Sequence, residues 1–520
     1  MRIRPASRHA CAGVACALAV GLAVAPGAQA QSLVEALSAT YNSYPDLLAA
    51  RAVLRQTDES LAQAVANWRP KVILSYQYNK TEADSLPILS PNTFFALNGK
   101  TTLLQVTQPL FRGGATVAAT KTAQANIQAQ RAALADTEQQ VLLNTITAYA
   151  DLVRDAGIVD ARRNNVRVLV QQLDATRERF RVGELTITDV SQAEARLEGA
   201  KADLVQAEAQ LRIDEAAYER VTGQRPGTVG DIPLWGALPA SEEESVALAM
   251  DASPRPVSAQ NRITAAAYAV NSAWSVLLPQ VNLIGLVQYQ QDVRAPGDQY
   301  YQYGVQVQAT VPIYQNGAEW SQVRQAKELV GQRRNELDSA RRVAAQIVIT
   351  FWRQLDAARS KVVSFEAQVK ANEVALNGVR QEALVGSRTT LDVLNAEQEL
   401  LNAQVSLISA RHDVQVAYYG VLSGIGRLTA RTLGLPVEYY DEEKYYKEVG
   451  SRWIGDWSAG QNSGPTVPTN NPFNPGSTLN PGNAATTPNA VNAANAKAAA
   501  QQGNQTPPAA QQANAPGAKK

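Results

Sequence analysis

Residues 181–204, RVGELTITDVSQAEARLEGAKADL, return about 200 positions later as residues 383–407, ALVGSRTTLDVLNAEQELLNAQVSL. The copies agree at Gly183/Gly386, Thr186/Thr389, Asp189/Asp392, Val190/Val393, Ala193/Ala396, Glu194/Glu397, Leu197/Leu400 and Ala200/Ala403. The likeness extends well beyond this stretch. Residues 43–74 align with 252–283, pairing Pro45 with Pro254 and Pro70 with Pro279, and Pro109/Pro312 and Gly114/Gly317 keep step further on. A mixed repeat of roughly 190 residues is a duplicated domain half, not a short solenoid unit. Whatever this chain folds into must use the same helix–two strands–long helix–turn–helix unit twice.

After each Pro70-type proline the hydrophobic period changes from helical to two. Val72, Leu74, Tyr76 and Tyr78 alternate with Ser75, Gln77 and Asn79. Val281, Leu283, Val287 and Tyr289 alternate with Asn282, Gln288 and Gln290. The pattern is cleanest in 301–311, where Tyr301, Tyr303, Val305, Val307, Ala309 and Val311 oppose Gln302, Gly304, Gln306, Gln308 and Thr310; it is weaker in 101–108. An apolar, tyrosine-rich face opposite one of Gln, Asn and Thr suits a strand with lipid outside and water inside. Each run is also about the 9–11 residues that a tilted strand needs to cross a bilayer. A half-buried strand in an ordinary sheet has the same alternation, and the recurrence of glutamine-faced strands favours the membrane.

Four strands raise a physical problem. In lipid every unpaired N–H and C=O costs several kcal/mol, and about eight strands make the smallest barrel. If these strands enter a membrane, several copies of the chain must share one barrel.

The remainder reads as helix. From Gly114 to about Phe180 there is no proline and one internal glycine, Gly157; residues 318–382 match it. At ~1.5 Å per residue such a helix is about 100 Å long. Heptad spacing runs through Ile127, Leu134, Val141 and Ala148, and through Val330, Leu337, Ala344 and Phe351. In the returning helices Val190, Leu197, Leu204 and Leu211 flank an alanine seam at Ala193, Ala200 and Ala207. Val393, Leu400, Leu407 and Val414 do so around Ala396, Ala403 and Ala410. A seven-residue repeat winds helices into left-handed coiled coils. Each half therefore ends in a long antiparallel hairpin whose tip is a glycine turn.

Composition excludes other classes. Arg2, Arg4 and Arg8 precede an apolar run and Ala28-Gln29-Ala30, which together read as a secretory signal peptide over 1–30. Both cysteines, Cys11 and Cys16, lie inside it, so disulfides, thiolate chemistry and cysteine zinc sites are not expected in the exported chain. His412 is the one histidine beyond it and reads as part of a solvated helix face. Basic and acidic residues balance at 48 and 47, which gives no basic excess for nucleic acid. No later stretch supplies the ~18 apolar residues of a membrane helix. With no Gly-rich phosphate loop and no cluster of catalytic types, neither an enzyme nor a cofactor is expected.

The chain thus divides into a signal peptide at 1–30, a first repeat at 31–227 with strands near 71–82 and 100–110, and a linker at 228–241. A second repeat follows at 242–430 with strands near 280–292 and 300–312, then an aromatic segment at 431–457 and a tail at 458–520. The tail is rich in Asn, Pro, Ala and Gly, with Phe473 its only aromatic, and is expected to be disordered.

The paired turns RVGELTITDV and VGSRTTLDVLNAEQELLNAQ, set in duplicated helix–strand–long-helix halves over about 32–430, resemble the TolC family of outer-membrane channels. The segment LPVEYYDEEKYYKEVGSRWIG is similar to the branch serving type I protein secretion. The resemblance implies a mainly α fold with membrane β. Three copies would form a twelve-stranded β-barrel in the outer membrane above an α-helical coiled-coil tunnel through the periplasm, with 431–457 as an equatorial segment. It also implies a periplasmic adaptor docking at the hairpin tips around Gly183 and Gly386, an inner-membrane ABC transporter behind it, and outer-membrane lipid around the barrel.

Site residues follow from the same resemblance. Asp392 matches the first of two acidic residues that ring the family's narrowest point, while the second is replaced by Asn395, so one ring of carboxylates remains. Arg388, Thr188 and Asp189 match the family's closed-state tip contacts, and Ala383 replaces a tyrosine of that network. A local reading stands beside this one: Asp189 and Asp392 each restart a helix after a turn, where Asp is a strong N-cap. Three functions stay open: a passive conduit for a secreted polypeptide, an efflux channel for small molecules or metal ions served by an RND pump, and a structural trimeric coiled-coil surface protein.

Overall fold

The computed structural model describes residues 32–84, 94–450 and 452–454. The signal peptide at 1–30 and the tail at 458–520 lie outside the described residues. Helices α1 (Leu33–Ser43) and α2 (Pro45–Ala66) lead into strands β1 (Lys71–Asp84) and β2 (Phe94–Arg112), followed by helix α3 (Ala115–Arg181) and its return α4 (Ile187–Thr222). The second half repeats the order: α5 (Glu242–Ala252), α6 (Pro254–Ser275), β3 (Gln280–Gln291), β4 (Gln299–Thr310), α7 (Ala318–Leu384) and α8 (Thr390–Gly424). A short α9 (Lys444–Gly450) follows.

The four strands form one antiparallel sheet in chain order. Its register carries the alternation read in single strands across the whole sheet. Leu74 faces Leu104, Leu104 faces Val287 and Val287 faces Tyr303; Tyr76, Thr102, Tyr289 and Tyr301 form the neighbouring row. The intervening row is Ser75, Leu103, Gln288 and Gln302. One face is thus apolar and solvent-exposed in the chain, with Tyr303 85% and Val305 77% accessible. Cross-strand packing orders it locally, as in the Tyr289 and Tyr301 rings at 4.6 Å. Near Pro109 the β2–β3 register shifts, where a residue without an N–H leaves a gap in the ladder. The outer edges of β1 and β4 have no partner strand among the described residues.

The long helices are unbroken through 67 residues each, because neither contains a proline and Gly157 alone interrupts the first. In α3 the heptad residues Ile127, Leu134, Val141 and Ala148 are all buried. In α8 burial departs from the single seam of the sequence. Leu394 and Leu401 are buried beside Val393, Ala403 and Ala410, whereas Leu400, Leu407 and Val414 are only partly so. The cause is a second neighbour: α8 packs on α7 and also on α3 of the first half, which widens its buried stripe. Leu394 joins Leu169, Leu173, Val190, Ala193 and Leu197 in one cluster, so the two hairpins touch close to their tips.

The main core lies further up, where α1, α2, α3 and α8 meet around Leu37, Leu54, Ile146, Tyr149 and Tyr419. Residues 228–241, a linker by composition, are fixed to it. The Tyr149 hydroxyl donates to Gly230 O and accepts from Gly230 N at 2.8 Å, and the Tyr418 and Tyr419 hydroxyls donate to Gly236 O and Pro233 O. Beyond 430 the chain straps back over α2 and α3: Tyr440 N donates to the Tyr41 hydroxyl at 3.1 Å, and α9 lies on α2.

Candidate functional site

The two hairpin tips are built alike from the backbone upward. α3 is capped by Val182, and Gly183 follows with φ +84°. Its N–H bonds Phe180 O at 2.9 Å, and the Glu184 N–H bonds Arg179 O at 2.9 Å. This is the paired closure of a left-handed helix stop. Gly386, φ +82°, repeats it with Ala383 O and with Ser387 N–H on Glu382 O. Nothing lies within 4 Å of a side chain built on either glycine, so dihedral angle alone requires glycine here.

The restart corrects the capping role read from sequence. Thr186 and Thr389 are the N-caps, and Asp189 and Asp392 occupy the third helical position of a capping box. Asp392 N donates to Thr389 Oγ1 at 3.2 Å, while Asp392 Oδ2 accepts from Thr389 N at 3.0 Å and Oγ1 at 2.8 Å. The Thr389 backbone and hydroxyl bonds hold the Asp392 carboxyl below its usual range. The Thr186 hydroxyl and backbone do the same for Asp189. A threonine three positions before each aspartate was the available signal; aspartate, being charged, drew attention from it.

Arg388 is engaged on its own hairpin, with Nε 2.9 Å from Glu382 Oε2. Among the described residues no hydrogen bond or ion pair joins it to Thr188 or Asp189, and Thr188 is exposed. The inter-hairpin contact near the tips comes from other residues. Arg196 Nη2, on α4, donates to Asn395 Oδ1, on α8, at 3.0 Å. One helical turn beyond Asp392, Asn395 therefore ties the second hairpin to the first. Arg380 of α7 meets the buried Glu397 of α8 at 3.0 Å, and Arg177 of α3 meets Glu194 of α4 at 2.6 Å. Sequence reasoning did not find Arg196, because its partner is about 200 residues away.

A second polar cluster joins the hairpins higher up. Arg154 on α3 lies 2.7 Å from Asp151, 2.6 Å from Asp155 and 3.5 Å from Asp214 of α4. His412 of α8 approaches Asp151 at 2.9 Å and Asp413 at 3.2 Å, and is largely buried. It belongs to a network between helices and not to a solvated face. Among the described residues no group of His, Cys, Asp and Glu is arranged to hold a metal ion. No described helix is long and apolar enough to cross a membrane.

Comparisons with known proteins agree with this geometry. The sequence model of the outer membrane efflux protein family matches residues 36–224 and 247–427, the two halves. The outer membrane efflux protein BepC of Brucella suis biovar 1 is 35% identical over 430 residues, 82% of this chain and 92% of its own length. The alkaline protease secretion protein AprF of Pseudomonas aeruginosa is 24% identical over 362 residues, 67% of this chain and 75% of its own. The crystal structure of the Campylobacter jejuni CmeC outer membrane channel superposes with a TM-score of 0.68 at 16% identity, over 81% of this chain and 89% of that one. The fold is therefore TolC-like, and a surface fibre is set aside. With both halves matched, the chain belongs to the outer membrane efflux protein family, the passive export channels of the outer membrane.

Proposed function

We propose that three copies of this chain close one barrel and bring their hairpins around a common bore, through which a polypeptide leaves the cell. Channels of this family are trimers that work with a periplasmic adaptor and an inner-membrane transporter. The observation that carries the reading is the sheet itself: an exposed apolar face, a polar face behind it, and two unpaired edges. Such edges are stable in lipid only when neighbours pair them.

The chain does no bond chemistry; an ABC transporter supplies the energy and an adaptor seats the hairpin tips. The tips offer it an apolar surface around Gly183 and Gly386, with Val182, Ile187, Leu384 and Val385 each more than 60% accessible. Asp392 and Asn395 approach the axis at the lower end. Asp392 keeps Oδ1 free of the capping bonds, and three such carboxylates form the single remaining charge ring. The closed state holds through Arg196–Asn395, with Arg388, Thr188 and Asp189 meeting across neighbouring copies.

The secretion name of AprF supports the cargo class; the efflux name of BepC supports a second reading, small-molecule or metal-ion export with an RND pump. Deleting the gene and comparing secreted proteins beside a drug and metal sensitivity panel separates them. Loss of one or a few secreted polypeptides with unchanged sensitivities is the expected result. An unchanged set of secreted proteins with raised sensitivity would transfer the function to efflux.

A further inference from the structure

We propose that the end of the C-terminal strap is a phospholipid anchor, seated on the periplasmic leaflet at the rim of the barrel; the inference rests on the outer-membrane location. After α9 the chain reaches Arg69, whose Nη1 donates to Arg452 O at 2.6 Å. The Arg69 guanidinium lies 4.7 Å from the centroid of the Trp453 ring. Arg69 is separated from β1 only by Pro70, so the strap reaches the point where helix gives way to membrane wall. The register places the starts of β1 and β3 and the ends of β2 and β4 at this one end of the sheet.

Exposure and charge identify the occupant. Trp453 is 67% accessible, Ile454 91% and the neighbouring Trp68 45%. Side chains of this size left in water forfeit the free energy of burying their apolar surface. Tryptophan is at home at headgroup depth, where its body meets acyl chains and its N–H meets water. Arg69 has no carboxylate within ion-pair distance among the described residues, although Glu448 nearby holds Arg452. A cation stacked on an aromatic ring, without a protein counter-ion and beside exposed apolar groups, fits a lipid phosphate with its acyl chains alongside.

The second half carries a like arrangement at the same end of the sheet. Trp274, in the last turn of α6, packs edge-on against Trp320, in the first turn of α7, at 5.5 Å. Lys327 Nζ lies 5.7 Å from the Trp274 ring and has no ion-pair partner among the described residues. Each half thus places an aromatic–cation pair beside its strand ends, and in the first half the strap supplies the aromatic member. The strap is therefore a membrane contact and not only a brace on α2.

The test uses the full-length channel. A photoreactive phenylalanine analogue at position 453 is irradiated in intact outer membranes, and the adduct is identified by mass. A phospholipid adduct is the expected result. A cross-link to another copy of the chain, a cross-link to a different protein, or no adduct would overturn the proposal. In parallel, purified channel in nanodiscs of phosphatidylethanolamine and phosphatidylglycerol is washed into detergent, and retained phosphatidylglycerol is counted. Arg69→Gln and Trp453→Ala should each lower it about threefold, the loss of roughly one cation–aromatic contact, and Ile454→Ser should lower it less. Equal retention in all variants would overturn the proposal. Conductance recorded on the same samples separates this failure from failure of the channel reading, because conducting channels that retain no lipid contradict the anchor alone.

Discussion

Arg196 and Asn395 stand 3.0 Å apart on α4 and α8, the one hydrogen bond between the two hairpins close to their tips among the described residues. It lies one helical turn from Asp392 and beside the Leu394 contact, so polar and apolar ties coincide. Opening the lower end by swinging one hairpin from the other must break both.

Replacing Arg196 or Asn395 by alanine should therefore raise the resting conductance of the reconstituted channel, and the double variant should raise it little more than either single one. A guanidinium-to-amide bond this exposed to solvent contributes about 0.5–1.5 kcal/mol. Single-channel recording with a double-mutant cycle checks it. Strictly additive effects would mean that the two side chains do not act together.

The capping boxes predict a local stability effect. Thr186→Ala should destabilise the α3–α4 tip by about 1 kcal/mol, the usual cost of losing such a cap, visible as faster amide exchange confined to residues near the turn. Asp189 has its folded pKa below the usual 3.8, so its contribution is present above that value and is lost as pH falls through the folded pKa. Exchange at the tip should thus be flat from neutral pH to about pH 5 after correction for intrinsic rates, and rise only in stronger acid.

The His412 cluster titrates in the opposite sense. Burial opposes charge on His412, yet its bonds to Asp151 and Asp413 leave its pKa above the usual 6.5. Burial, together with its hydrogen bond to Asp155, pushes Asp214 up to about 6. Asp155 is held low by Arg154 against the effect of its own burial. The histidine's contribution is complete below 6.5 and fades as pH rises through its folded pKa; for Asp214 the fold gains stability as pH falls through about 6 toward 3.8. Melting should accordingly occur about 2 °C or more higher at pH 6 than at pH 8. His412→Gln should remove most of that difference, and equal melting of the unaltered protein at both pH values would contradict the assignment.

At the upper end α7 and α8 approach closely over two glycines. A methyl at Gly420 would lie 2.6 Å from Phe351 Cε1, and one at Gly424 would lie 2.7 Å from Val348 Cγ2. Gly420→Ala should destabilise by about 1–3 kcal/mol through overpacking, whereas Gly199→Ala, with open space around it, should not. Denaturant or thermal unfolding of the two variants side by side makes the comparison.

Much of this was legible in the sequence because it is periodic. The proline-free stretches, the alternation of Tyr301 to Val307 and the glycines at 183 and 386 are local signals, and local sterics execute them. What escaped depends on partners far along the chain. Leu394 is buried because a helix of the other half lies against it, and residues 228–241 are held because Tyr149, Tyr418 and Tyr419 present hydroxyls to their backbone. Asn395 looked like a lost charge in a ring, and only the position of Arg196 reveals what it bonds within the chain.

The central claim is that copies of the chain complete the wall that one sheet leaves open at β1 and β4. Native mass spectrometry of the purified protein in mild detergent, with circular dichroism on the same sample, tests it most directly. The account predicts a single species of three chains whose β signal persists until the assembly dissociates. A monodisperse single chain that keeps its β-structure would contradict it.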